Sequence, residues 1–298
     1  MNEQPREVLL KRLEGLEQMP SIPVVLGPIL RYLEQPVDRL EIQQVVDLIC
    51  QDKSLAAQCL RMANSPLFGR AQNVDSVRGA VVSLGMQRMR DIALSCSVLK
   101  ITPTGPTAID PIIFWEHSMG VALVSRRFAA RIGFKDTSKA YLAGLLHDIG
   151  IIVNLWILPA EFQAAMDMAC NQRIPLYEAE RAVLGVTHSE SGRVLAEKWA
   201  LAPDIASVLT WHHETPQATT ARGLVALVSL SDLLCRMGGL GHGMIEEREV
   251  DFVEQPAFAV LLEECPALQT FDWARFTFEQ EGYLDEVHRL VSLLYRPQ

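Results

Sequence analysis

The sequence predicts an all-α protein, a helical bundle preceded by an N-terminal helical subdomain. Apolar residues recur at three- and four-residue spacing along almost the whole chain, while β-branched alternation of any length is hard to find. Cap residues stand before many of these runs, and Gly or Asn-Ser-Pro signals follow several of them.

The N-terminal third opens with a Pro-punctuated turn, MPSIPVVLGPIL (19–30), and continues through the amphipathic run LEIQQVVDLICQD (40–52). SLAAQCLRMA follows, with Ser54 expected as its N-cap and Asn64-Ser65-Pro66 as its stop. Asp75 or Ser76 caps SVRGAVVSLG, and MQRMRDIALSCSVLK comes next. ITPTGPTAIDP (101–111), with three prolines and a glycine, reads as a linker or surface loop.

Beyond it lies FWEHSMGVALVSRRFAARIG, and then TSKAYLAGLLHDIG, capped by Asp136 and expected to run as one helix to a stop at Gly150. IPLYEAERAVLG precedes THSESGRVLAEKWA, where Thr187 and Glu190 form an S/T-x-x-E capping box. Pro203 opens PDIASVLTWHH at a first-turn position, where its missing N–H costs nothing. RGLVALVSLSDLLCRMG closes the series. The expected organisation is residues 1–105 as an N-terminal helical subdomain, 106–242 as a second helical subdomain, and 243–298 as an acidic helical extension.

A chain of 298 residues with 49% hydrophobic and 21% charged residues has ample core and ordinary globular composition. No targeting signal is visible, and no unbroken apolar run reaches the ~18 residues of a membrane span. The expectation is a cytoplasmic protein with no membrane role. Six scattered cysteines without a CxxC pair read as reduced, buried small hydrophobes. The net charge of −9 argues against nucleic acid as a partner, because phosphate binding wants a basic face. From Glu246 to Gln298 there are twelve acids and four bases, so most of that charge sits on the last fifth of the chain. Those acids are expected on a solvated face, with Trp273, Phe276 and Tyr283 packing inward.

The functional signal is a set of ionisable groups lodged in apolar helices. Asp232 lies in LVALVSLSDLLC and Asp148 in AGLLHDIG; an unpaired buried carboxylate is costly or protonates, so each needs a partner. His117, His147, His188, His212 and His213 occupy similar apolar stretches. Singly, His117 reads more readily as a hydrogen-bonded core residue than as a ligand, His188 as a neutral first-turn or surface residue, and His212 and His213 as helix-end cations. Together with the two aspartates they form a donor set suited to Fe, Mn or Zn, one ion or two. With two ions, Asp148 is the natural bridging carboxylate.

In order and context, His117, His147, Asp148 and Asp232 resemble the four defining positions of the HD superfamily of metal-dependent phosphohydrolases. His188 and the His212-His213 pair resemble the extra ligands of the HD-GYP branch, which hydrolyses cyclic di-GMP. Adding MPSIPVV, LICQDKSLAAQCLRMANSPLFG, SVRGAVVSLGMQRMRDIAL and HSESGRVLAEKWALAPDIASVLTWHHETP, the stretch from about Leu13 to Met237 resembles an HDOD domain, with Lys53 where that family usually has proline.

The resemblance implies a bacterial signalling protein that acts through protein partners. The alternative is a metal-dependent phosphohydrolase with a nucleotide or phosphodiester ligand. Cyclic di-GMP hydrolysis is disfavoured, because Ile151 replaces the lysine after HDIG and no GYP loop occurs between Trp156 and Leu184. Arg126 and Arg127 are the candidate substitutes for that lysine, although paired arginines on a helix more often form a solvated face.

Overall fold

Every regular element among the described residues is helical. The computed structural model describes residues 27–28, 41–68, 73–101, 107–243 and 251–295. The expected turn over 19–30 therefore lies almost wholly outside the described residues, as does the 102–106 part of the 101–111 loop. The chain divides into two compact units, one formed by 103–277 with 1–21, the other by 22–102 with 278–298.

In the second unit, α1 (Ile42–Cys50), α2 (Lys53–Ala63), α3 (Val77–Leu84) and α4 (Met86–Val98) pack on one another. Leu55, Cys59, Met62, Ile92 and Cys96 form part of their buried core. The N-cap of α2 is Asp52 rather than Ser54: the Asp52 carboxylate accepts from the Leu55 amide at 3.0 Å, and Ser54 falls inside the helix. Of the two candidates for α3, Ser76 caps, accepting from the Gly79 amide.

The first unit carries α5 (Pro111–Arg131), α6 (Thr137–Leu146), α7 (Ile149–Ile157), α8 (Pro159–Gln172), α9 (Leu176–Val183), α10 (His188–Lys198), α11 (Pro203–Trp211), α12 (Arg222–Met237) and α13 (Pro256–Glu264). α14 (Trp273–Tyr295) begins here and ends in the second unit. α5 is buried along most of its length and packs on α6 and α12, while α7 packs on α10 and α10 on α11.

Two glycines set the closest backbone approaches between helices. A Cβ on Gly144 would lie 2.8 Å from the Val121 carbonyl oxygen of α5, and one on Gly150 only 1.8 Å from the His188 carbonyl oxygen of α10. Gly150 is therefore not a stop. The helix breaks earlier, at His147-Asp148, and Gly150 lies in the first turn of α7. The run 137–157 is apolar enough to cross a membrane, yet 89% of its window is buried inside the protein, as a core element would be.

The acidic C-terminal stretch divides between exposed acids and packed rings, with Tyr283 as the exception. Asp251, Glu254, Glu263, Glu264 and Asp272 are exposed, whereas Phe271, Trp273 and Phe276 pack around Phe128 of α5, with ring centroids 5.3–5.5 Å from it. Tyr283 remains substantially exposed. None of the cysteines forms a disulfide; Cys59, Cys96 and Cys235 are buried, but Cys50 and Cys170 are exposed, contrary to the expectation of uniform burial.

Candidate metal centre

The first unit brings its predicted site residues together. His117 comes from the middle of α5. His147 and Asp148 form the break between α6 and α7. His188 opens α10 directly after the Thr187 cap, whose reciprocal box with Glu190 is present. His212 and His213 follow the last turn of α11, and Asp232 projects from α12.

Asp148 is the hub. Its Oδ1 lies 3.2 Å from both His188 Nε2 and His212 Nε2, and its Oδ2 lies 3.1 Å from His147 Nε2 and 3.4 Å from His117 Nε2. One group of donor atoms, from Asp148, His188, His212 and His213, falls within 4.8 Å; a second, from His117, His147 and Asp148, does the same. Asp148 is common to both, so one carboxylate faces two clusters of imidazole. Asp232 belongs to neither group. Its Oδ1 is 3.2 Å from His117 Nε2, and both its oxygens engage Arg236 at 3.1–3.2 Å.

The orientation of the rings is more informative than their proximity. His117 Nδ1 lies 2.6 Å from the Leu240 carbonyl, His147 Nδ1 2.8 Å from that of Gly144, and His212 Nδ1 3.0 Å from that of Val208. A carbonyl only accepts, so in each case Nδ1 carries the proton and donates, leaving a neutral ring's Nε2 as a lone pair. His188 Nδ1 is held at 2.6 Å by the Glu180 carboxylate, with the same result. All four Nε2 atoms turn toward Asp148.

Lone pairs directed at one another and at a carboxylate repel unless a cation lies among them. His117 Nε2 and His147 Nε2, both left as lone pairs by their carbonyl bonds, are 3.3 Å apart, whereas His213 Nε2 lies 2.9 Å from His188 Nε2, a distance at which a proton on His213 Nε2 would make a hydrogen bond. Asp148 Oδ1 and His212 Nε2 are buried without a hydrogen-bond partner. Imidazoles anchored through the far nitrogen, with the near nitrogen unsatisfied, are what a divalent ion requires of its ligands, and the donor set fits one.

Without an ion, protons take the cation's place. Burial pushes His117 down, but Asp148 and Asp232 outweigh it and hold the imidazole up at about 9. Burial likewise opposes Glu180 and Asp148 at His188, which is held at about 10. The carboxyl of Asp148 lies well below the usual range: His147 and His188 overcome the upward push of burial. Arg236 and His117 do the same for Asp232. His212 and His213 are lowered, first by burial; neighbouring His188 adds to this at both.

Several contributors were not singled out from the sequence. His242, in the glycine-rich turn after α12, places Nε2 2.8 Å from Asp148 Oδ2. Glu180 of α9 accepts from the His188 amide at 2.8 Å and from Asn154 at 2.9 Å, and Asn154 accepts in turn from Ser191 at 2.6 Å. The cation at the site is Arg236; Arg126 instead lies over the Tyr141 ring, 5.2 Å from its centroid. Helical spacing separates Glu180, on the apolar face with Leu176 and Ala179, from Glu178, and a lone histidine among glycines ten residues after Asp232 was likewise a usable signal.

An HDOD domain model matches residues 19–215, well over half of the chain. The chain belongs to the HDOD family. Among solved structures, an HDOD domain protein of unknown function from Geobacter sulfurreducens is 28% identical, with a TM-score of 0.84 over 97% of this chain and 96% of that one. A candidate phosphohydrolase from Shewanella amazonensis SB2B is 21% identical, with a TM-score of 0.71 over 95% of this chain and 97% of that one. A candidate signal transduction protein from Marinobacter aquaeolei VT8 is 20% identical, with a TM-score of 0.76 over 98% of this chain and 66% of that one. The latter two share the HDOD chain's fold. An uncharacterized protein of Treponema pallidum (strain Nichols) is 23% identical over 225 residues, 75% of this chain but 43% of that protein. The HDOD chain thus spans less than half the length of that relative.

Proposed function

We propose that this HDOD protein is a signalling module that acts through protein partners and whose His/Asp cluster holds one or two divalent transition-metal ions. His117, His147, Asp148, His188, His212, His213 and Asp232 are the ligand set. The observation that carries the reading is the orientation of four imidazoles, each with Nδ1 engaged by a fixed acceptor and Nε2 turned on Asp148. Imidazole with carboxylate suits iron, manganese or zinc. An ion there ties α5, α10 and α12 to the turns after α6 and α11, so its binding free energy adds to that of folding.

The test is metal content by mass spectrometry on untagged protein, wild type beside His147→Ala and Asp232→Ala. Near-stoichiometric metal in the wild type is expected, with both variants losing metal, thermal stability and partner binding together. No metal in the wild type, even after reconstitution with Mn(II), Fe(II) and Zn(II), sinks the proposal.

A second reading, metal-dependent phosphohydrolase, draws support from a cleft of about 560 Å³ that reaches His213. Its walls include Arg181, Arg193 and Trp211, and the buried Ser189 Oγ there has no hydrogen-bond partner. A bound ion would supply Lewis acidity and a low-pKa water. Against cyclic di-GMP in particular, Ile151 is wholly buried where those hydrolases carry lysine. Under this reading His147→Ala abolishes turnover of phosphodiesters or nucleotides while partner binding survives.

A further inference from the structure

The turn after α12 contributes two groups to the cluster. Leu240 is nearly buried, its amide donates to the Cys235 carbonyl at 2.9 Å, and its side chain occupies the space a Cβ on Gly120 of α5 would need, 2.7 Å away. Held there, the Leu240 carbonyl accepts the His117 Nδ1 proton. Two residues on, His242 lies against Phe114 and His117, with ring centroids 6.1 and 4.4 Å away. Its Nε2 is 2.8 Å from Asp148 Oδ2, the oxygen shared with His117 and His147.

Hydrogen bonding does not account for this imidazole. Its Nδ1 is buried and has no partner, so with either tautomer one ring nitrogen is unsatisfied. A role confined to donating one hydrogen bond to Asp148 would be met by a smaller amide without that cost. The donor group of His117, His147 and Asp148 offers three atoms, and Asp232 Oδ1, 3.2 Å from His117 Nε2, is the proposed ligand beside them, so an imidazole from His242 would raise that shell to five. We propose that His242 is a further metal ligand, supplying an imidazole nitrogen to the divalent ion held by His117, His147 and Asp148. This rests on the metal-centre reading above and adds a residue to it.

The experiment is titration of the full metal-free chain with Zn(II) alone, against a chromophoric chelator, comparing wild type, His242→Ala, His242→Gln and His288→Ala. His288 is exposed on the part of α14 that belongs to the second unit and serves as the control. In both His242 variants one binding event is expected to weaken by at least about 10–100-fold, the scale of losing a group that only supports a ligand. The event assigned to Asp148, His188, His212 and His213 should persist, which also reports that the variants fold. Cobalt(II) in place of zinc should give an altered visible spectrum in both variants.

Wild-type affinity in His242→Ala overturns the proposal. So does restoration of wild-type affinity by His242→Gln, because glutamine keeps a hydrogen-bond donor without an imidazole. If the wild type binds no zinc, the metal-centre reading itself fails. If it binds zinc and the variants match it, only the role of His242 fails.

Discussion

Glu180 is wholly buried, and it fixes the orientation of His188 through two hydrogen bonds, one to the ring and one to the amide. Ser191 and Asn154 brace the carboxylate from the other side. Glu180→Gln keeps the size and an acceptor but removes the charge that makes His188 Nε2 a strong donor. Metal affinity is expected to fall about 10–100-fold with the fold intact, as chelator competition would show; an unchanged affinity would reduce Glu180 to a structural role. The sequence exposed the proposed ligands better than their supports. His117, His147, Asp148, His188 and Asp232 stood out because ionisable groups in apolar helices need partners. Glu180 lies on the apolar face of its short helix with Leu176 and Ala179, a signal of the same kind that a helix of eight residues made easy to overlook, and His242 lies in a glycine-rich turn, where only its being a lone histidine among glycines marks it.

At the level of helices, the site is placed by crossings rather than by loops. Gly144 lets α6 meet α5, and Gly150 lets α7 meet α10, which puts His147 and Asp148 against His117 and His188. Gly150→Ala would force a Cβ into the His188 carbonyl and the Gly192 amide, so α10 must move. A loss of about 3 kcal/mol or more in urea unfolding is expected, with metal binding lost as well. Gly192→Ala, on the facing helix, meets nothing nearer than 3.5 Å and should change stability by no more than about 1 kcal/mol. Equal effects of the two substitutions would mean the crossing is looser than it looks. Helix existence was largely legible from periodicity, but two boundaries were not. Asp and Ser cap almost equally well, so composition could not choose Asp52 over Ser54. Nor does glycine or proline mark the break at His147-Asp148, which only the tertiary arrangement reveals.

For the whole molecule, the cluster makes metal-free stability depend on pH. His117 and His188, held at about 9 and 10 against ~6.5 in an unfolded chain, stabilise fully below pH ~6.5 and lose that contribution as pH rises through 9 and 10. His242, lowered to about 4 by burial and then by His117, acts oppositely: stability is lost as pH falls from ~6.5 to 4. The metal-free protein should therefore be most stable near pH 6.5. Its melting temperature should drop by roughly 5–10 °C between pH 7 and 10, for a loss of a few kcal/mol. Saturating divalent ion should flatten that alkaline limb, because His117 and His188 would already be unprotonated as ligands. Calorimetry with and without metal distinguishes the cases, and an alkaline slope unaffected by metal would count against the proposed ligands.

The family match ends at residue 215, on the first turn after the paired histidines. Asp232, Arg236, Leu240, His242 and the rings that cover Phe128 all follow that point. A fragment cut to the match would keep the HD pair and lose the carboxylate beside His117, the carbonyl that aims its ring and the aromatic cover of its helix. Comparison of HDOD proteins over the matched span alone would likewise grade a site with one wall missing. The proposed centre therefore reaches at least to His242, well beyond the matched span.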